Sequence, residues 1–405
     1  MSVGRLSCKS IFDFAETFLN VQKSGSLDKD WLLINQMFDV NISYGEMHIP
    51  KPFYSKIQKW FGKIDDKNAE EAVLRVEKQT IVRVVNKWTY QQTLFNPLRS
   101  CRPMNNNFEN RSYTDISDEL QTIPDKCDFC SPLSYTAIDL WGRIERDTCL
   151  TASNCAKYDG QHSLVIFKDH SPLKYNKEKL YDIMSICEEW FQCAHNQNPS
   201  AIFPMFNWNC KGQAGASQSH GHAHLLLAEK FHFGKWEFLK NCNERYQDEY
   251  PGRNYFLDLI QNSKVLGLTK TIGTAHILTN LTPTFGYDLL IISWNFDNDF
   301  RDAIDSGLKT LTKRFKSVTF NVGIHFPPLE NGKLRKRMDL STMQDMLTKK
   351  KPNMPFICYM VDRGDPNNNR YTSDVCGMVL SGSSIVSRDP FQIASVVKIP
   401  DILWE

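Results

Sequence analysis

Three histidines at alternate positions, His220, His222 and His224, run straight into the apolar segment Leu225-Leu226-Leu227-Ala228. Side chains of an extended strand alternate between faces, so all three are expected to project from one face. Imidazoles grouped in this way can act as nucleophile, acid, base or metal ligand near neutral pH. The approach reads Asn209-Cys210-Lys211-Gly212-Gln213-Ala214-Gly215-Ala216-Ser217. Gly215, Ala216 and Ser217 leave the backbone uncovered, so its amide hydrogens can meet a phosphate at close range. A solvated or adventitiously metal-binding histidine cluster is the plain alternative. An artificial tag is not, because the run is internal and grades into a core-like strand.

Cys127-Asp128-Phe129-Cys130 spaces two thiols as a zinc knuckle does. Two ligands do not make a site. His170 and His220 are the best candidates to complete a tetrahedron, with His162 as a substitute for His170. Two ordinary reduced cysteines in a turn remain open as a reading. Disulfide exchange by the pair lacks the strand and helix context of a thioredoxin-like site.

The elements that must position these groups follow from periodicity. Residues 163–167 read as a buried strand. Residues 177–196 form an amphipathic helix, with Leu180, Ile183, Met184, Cys187, Trp190, Phe191 and Ala194 at helical spacing. Residues 201–208 are a strand, followed by the glycine-bearing loop and the histidine strand. The second half repeats this grammar: strand 287–293, helix 300–315, and strands 317–325 and 355–361, then a helix over 390–397. A strand–helix–strand–strand order appearing twice predicts an internal duplication, with only the first copy carrying the histidine triplet. Residues 10–90 show helix-like periodicity, and residues 96–125 read as a long loop.

At 405 residues the chain suffices for two or three domain-sized units or one large pseudo-symmetric one. A net charge of only +2 argues against a nucleic-acid partner. No stretch approaches the roughly 20 consecutive apolar residues of a membrane helix, so no membrane partner is expected. The N-terminus lacks the apolar run of a secretory signal, and the 12 cysteines show no disulfide spacing. Reduced thiols in a cytoplasmic setting follow.

The order Cys-x-x-Cys, Asp-His-Ser, then Asn…Gly-x-Ser…His-x-His resembles the galactose-1-phosphate uridylyltransferase branch of the histidine-triad superfamily. The resemblance runs over most of residues 90–400. Phe95-Asn96-Pro97-Leu98 and Arg102-Pro103 are similar to that family's opening segment, which makes Arg102 a candidate nucleotide-binding residue. Asn154 falls where the family has a nucleotide-contacting Asn. Asp169-His170-Ser171 resembles the segment that supplies a zinc-binding His. Asn209, Ser217, His220 and His222 match a phosphate-binding Asn, a Ser, a zinc-ligand His and a nucleophilic His.

What the resemblance implies is covalent nucleotidyl transfer. His222 attacks the α-phosphorus of a bound nucleotide, and a phosphorylated acceptor or water then takes the nucleotidyl group. Zn²⁺ is implied at Cys127, Cys130, His170 and His220. Asn154, Asn209, Gly215, Ala216 and Ser217 are the implied nucleotide and phosphate contacts. His222, His224 and Ser217 are the implied catalytic set. Two departures stand out. Where the transferase branch usually has Gln, this chain has His224, the pattern of the triad hydrolases. The second repeat's matching strand, Ile357-Cys358-Tyr359-Met360-Val361-Asp362-Arg363-Gly364, lacks the family's His-x-His pair, so Arg363 and Arg370 are the phosphate or carboxylate candidates there.

The expectation is an α+β protein of two fused histidine-triad-like repeats, each an antiparallel sheet with packed helices, plus an N-terminal helical extension. Its boundaries are 1–90 for the extension, 91–270 for the first repeat and 271–405 for the second, degenerate repeat. The active site is expected where the first repeat's histidine strand meets the second repeat or a partner subunit, as in a homodimer. The leading function is a nucleotidyltransferase or phosphorylase acting on a nucleoside diphosphate sugar or related nucleotide. The alternatives are a hydrolase of nucleotide phosphoanhydrides or phosphoramidates, favoured by His224, and a nucleotide-binding module without turnover.

Overall fold

The computed structural model describes residues 6, 8–25, 28–62, 69–101, 127–338, 353–364, 373–374 and 377–397. The N-terminal segment supplies the expected helices: α1 (Ile11–Ser24), α2 (Lys29–Met37), α3 (Tyr54–Phe61) and α4 (Ala69–Glu77). It also supplies β1 (Phe38–Glu46) and β2 (Lys78–Asn86), which pair antiparallel from Phe38↔Asn86 to Glu46↔Lys78. The reason is local. Val82, Val84 and Asn86 are buried while the intervening Arg83 is exposed, a period of two rather than 3.6. β3 (Gln92–Phe95) extends this small sheet.

A nine-stranded antiparallel sheet carries the rest of the architecture. Its first half is β4 (Cys149–Ser153), β5 (Gln161–Phe167), β6 (Ala201–Cys210) and β7 (His222–Glu229). Its second half is β8 (Thr269–Ile272), β9 (Ala275–Thr279), β10 (Asp288–Ser293), β11 (Phe320–His325) and β12 (Phe356–Asp362). The spatial order is β4-β5-β7-β6-β11-β12-β10-β9-β8. The order β5-β7-β6 on one side is mirrored by β11-β12-β10 on the other, as the duplicated sequence pattern predicts. The halves join through β6 and β11, with Asn209↔Asn321 and Met205↔His325 opposed. β14 (Ser383–Val386) returns to lie parallel to β3, closing the small sheet with β13 (Ser373–Asp374).

One face of the large sheet is covered by α5 (Lys177–Gln197) and, in the second half, a helix over Asn298–Lys309. The Asn176 side chain caps α5 by accepting from the Lys179 N–H, and the apolar stripe of α5 faces Val165, Phe206, Trp208 and Leu225 in one continuous core. The opposite face of the second half is covered by helices Gly234–Glu249 and Tyr255–Val265 together with α1, α2 and β1. On the first half, among the described residues, that opposite face carries a small cluster of Ala152, Leu164 and Ile166 beside Phe129. His222 and His224 sit on this thinly covered face. Among the described residues no helix is long and apolar enough to cross a membrane.

Candidate active site and metal cluster

β7 begins at His222 rather than at His220, so His220 lies in the loop that precedes the strand instead of on its face as the sequence pattern predicts. The reason is a clamp on Gly221. Its carbonyl accepts from the Phe167 N–H at 2.9 Å, and its N–H donates to the His170 carbonyl at 2.9 Å. A Cβ at this position would overlap the Phe167 ring and come within 3.0 Å of Pro172 Cα, so only glycine fits. The clamp turns His220 away from the strand and toward the Cys-x-x-Cys turn.

Cys127, Cys130, His170 and His220 converge there, with one ligand atom from each lying within 4.8 Å of the others. Cys130 Sγ is 3.3 Å from His170 Nδ1 and 3.5 Å from His220 Nδ1, and Cys127 Sγ is 3.5 Å from His220 Nδ1. His220 Nε2–H donates to the Phe167 carbonyl at 2.7 Å, which fixes the tautomer and leaves the Nδ1 lone pair facing the thiols. The set could hold a metal ion. His162, the substitute for His170 that the motif spacing allows, is elsewhere: it lies on β5 opposite Leu226.

His222 is buried, and its Nδ1–H donates to the His220 carbonyl at 2.8 Å. The lone pair is therefore on Nε2. Burial lowers the pKa of His222, against the opposing effect of that carbonyl, so the imidazole is neutral at physiological pH. Phe129 packs edge-on to His222 with centroids 5.3 Å apart and to His220 at 5.8 Å, tying the surroundings of His222 to the Cys-x-x-Cys turn.

His222 and His224 line a pocket of about 340 Å³, within the range of small-ligand sites. Phe129, Ala137, Ala152 and Leu164 form an apolar wall, while Asn154, Ser217 and Gln218 supply polar groups. Of the residues expected to bind nucleotide, Asn154 and Ser217 reach this wall. Asn209, Gly215 and Ala216 do not. Asn209 instead accepts from Asn321 Nδ2 at 2.7 Å, and the same amide donates to the Ala214 carbonyl at 2.8 Å. The second repeat thus braces the loop from beneath. Arg363 donates to Asn321 Oδ1 at 3.0 Å and lies over the Phe285 ring, so it extends this brace. Arg102 and Arg370 lie outside the described residues. Among the described residues, the pocket itself is walled by residues between Asp128 and His224, all from the first repeat.

Three contributors have roles that the sequence does not show. Phe129 is visible there only as a spacer between cysteines. Tyr158 stacks on His224 with centroids 5.5 Å apart, and His162 meets His224 at 3.1 Å. Burial lowers His162 to about 4, with Lys157 adding to it and Asp139 and Asp159 opposing. Burial lowers His224 to about 3, with His222 and His162 adding. Both folded-state values lie below the usual 6.5, so the unfolded chain binds more protons between about pH 4 and 6.5. The contribution of these two histidines is therefore full above pH 6.5 and falls as pH drops through that window. The expected result is a lower urea midpoint at pH 5 than at pH 7.5, with a shallower decline in His224→Gln. Equal declines in the two proteins would contradict the assignment.

No protein-family model matches the chain, and no curated protein matches it in sequence. Solved structures do match in fold. An ADP-glucose phosphorylase from Arabidopsis thaliana with bound ADP-glucose aligns with a TM-score of 0.55 over 78% of this chain and 97% of its own, at 15% identity. The two chains therefore share a fold. A uridylyltransferase aligns at 0.51 over 78% and 96%, with 9% identity. A GalT-like protein from Arabidopsis thaliana aligns at 0.50 over 69% and 93%, with 16% identity.

Proposed function

We propose that this protein is a nucleotidyltransferase or phosphorylase that acts on a nucleoside diphosphate sugar or related nucleotide through a covalent nucleotidyl-His222 intermediate. The observation that carries this reading is the state of His222: buried, neutral, its Nδ1–H held by the His220 carbonyl, and on the wall of a nucleotide-sized pocket. A neutral imidazole so fixed is a ready nucleophile, and the covalent step divides one difficult displacement into two. Ser217 and the side-chain amides of Asn154 and Gln218 are donors for the phosphoryl oxygens. Residues 91–270 carry this chemistry, and residues 271–405 brace it through Asn321.

The Cys127, Cys130, His170 and His220 set fits Zn²⁺. Zinc–sulfur distances of about 2.3 Å and zinc–nitrogen distances of about 2.0 Å place ligand atoms of a tetrahedron roughly 3.5 Å apart, close to the 3.3–3.5 Å found here. Zinc would pin the Cys-x-x-Cys turn to His220, a structural contribution. The fold's likeness to an ADP-glucose phosphorylase supports a nucleotide sugar as donor.

The second reading, hydrolysis by water, draws on His224 in place of the transferase branch's Gln. Product analysis separates the two. Incubation with UDP-glucose, GDP-glucose or ADP-glucose plus inorganic phosphate is expected to yield nucleoside diphosphate and sugar phosphate. Equal turnover without phosphate, releasing nucleoside monophosphate, would favour the hydrolase.

A further inference from the structure

His224 is not simply a third titrating histidine, because its tautomer is dictated from outside the triplet. The backbone N–H of Tyr158 donates to His162 Nδ1 at 2.9 Å. An amide N–H can only donate, so His162 Nδ1 carries the lone pair and Nε2 carries the proton. His162 Nε2 lies 3.1 Å from His224 Nδ1. Asn154 Nδ2 lies 3.3 Å from His162 Nε2 but offers no lone pair, since its Oδ1 is turned away to accept from the Ala156 N–H. His162 Nε2–H thus donates to His224 Nδ1, and His224 must hold its own proton on Nε2. The loop that imposes this is itself anchored: Lys157 Nζ donates to Ser153 Oγ at 2.9 Å and to the His162 carbonyl at 2.7 Å. His162 has no exposed surface.

We propose that His162 is a positioning residue that locks His224 as a neutral hydrogen-bond donor, so that the site moves a nucleotidyl group between phosphate oxygens and neither to water nor from an amine. The proposal rests on the covalent reading above. In the first step the His222 Nε2 lone pair forms a bond to the α-phosphorus. The bond from that phosphorus to the bridging oxygen breaks, and the departing phosphate keeps the electron pair. It leaves as an anion and accepts a hydrogen bond from His224 Nε2–H, which retains its proton. In the second step an oxygen of an acceptor phosphate forms the new bond as the P–N bond breaks, and the pair returns to His222. No proton changes hands in either step. An amine leaving group would need a proton that neutral His224 does not give up readily. Attacking water would need a base, and His224 Nδ1 is already occupied by His162.

The lock is read directly by NMR of the full chain labelled with ¹⁵N-histidine, without substrate, at pH 6 to 8. His224 is assigned by the signal lost in His224→Gln. The expected result is a pyridine-like Nδ1 and a pyrrole-like Nε2 on His224. The opposite tautomer, or an imidazolium, would overturn the proposal whatever reaction the protein performs.

Turnover supplies the second arm. His162→Gln can retain a donor toward His224, whereas His162→Glu offers only an acceptor and draws the His224 proton to Nδ1. Phosphorolysis of the three nucleotide sugars is expected to survive in His162→Gln. It is expected to fall by roughly 10- to 100-fold in His162→Glu, because His224 Nε2 then turns a lone pair instead of a proton toward the departing phosphate. Wild-type protein that cleaves phosphoramidates as fast as nucleotide sugars would overturn the specificity claim, and equal behaviour of the Gln and Glu variants would overturn the role of His162.

Discussion

His222→Ala abolishes turnover, with an expected loss on the order of 10⁴-fold or more, and leaves the fold in place. The size of the effect follows from the lack of a substitute among the described residues of the pocket. His224 is the nearest imidazole, with ring centroids 5.3 Å apart, but its lone pair is directed at His162. His220 is turned to the cysteines, with its other nitrogen held by the Phe167 carbonyl. Removing the His222 ring takes away one hydrogen bond to the His220 carbonyl and leaves the Gly221 clamp untouched. The melting temperature and metal content of the variant should therefore match wild type within a few degrees. Residual turnover above roughly 1% of wild type would contradict a covalent role for His222.

Paired substitution Cys127→Ser with Cys130→Ser is expected to have the largest effect on stability. The cluster joins the Cys-x-x-Cys turn to the loop bearing His170 and the approach to β7, which the Gly221 clamp already holds together. Metal binding at such a junction is folding free energy. The expected outcome is loss of stoichiometric zinc by elemental analysis and a fall in melting temperature of roughly 5–10 °C. Activity falls with it, because Phe129 loses its fixed position beside His222. Cys155→Ser is the control: Cys155 is an exposed thiol at the same pocket and takes no part in the cluster. Unchanged metal content and stability in the double variant would end the assignment.

Much of this site is legible in the chain because it depends on local spacing. The α5 stripe from Leu180 to Ala194, the strands on either side of it, and the Cys127, Cys130, His170 and His220 set all follow from periodicity or motif. What the sequence conceals depends on register. His162 and His224 are 62 residues apart, and they share a face only because β5 and β7 pair with Leu164 opposite His224 and His162 opposite Leu226. The same holds for Asn209 and Asn321, brought together by the β6–β11 junction that fuses the two halves. His220 escapes the strand pattern because Gly221 is gripped from both sides, a tertiary effect that overrides alternation. β1 and β2 are hidden inside a segment whose flanking helices dominate its periodicity.

The most direct test of covalent nucleotidyl transfer is intact mass under neutral conditions. A phosphoramidate is acid-labile, so acidic spraying would hide it. Purified protein is incubated briefly, without acceptor phosphate, with UDP-glucose, GDP-glucose, ADP-glucose and diadenosine tetraphosphate in turn. The account predicts a gain of one nucleoside monophosphate with at least one donor, reversed on adding inorganic phosphate and absent in His222→Ala. The same gain in His222→Ala, or phosphate-dependent turnover with no adduct under rapid quenching in wild type, would contradict it.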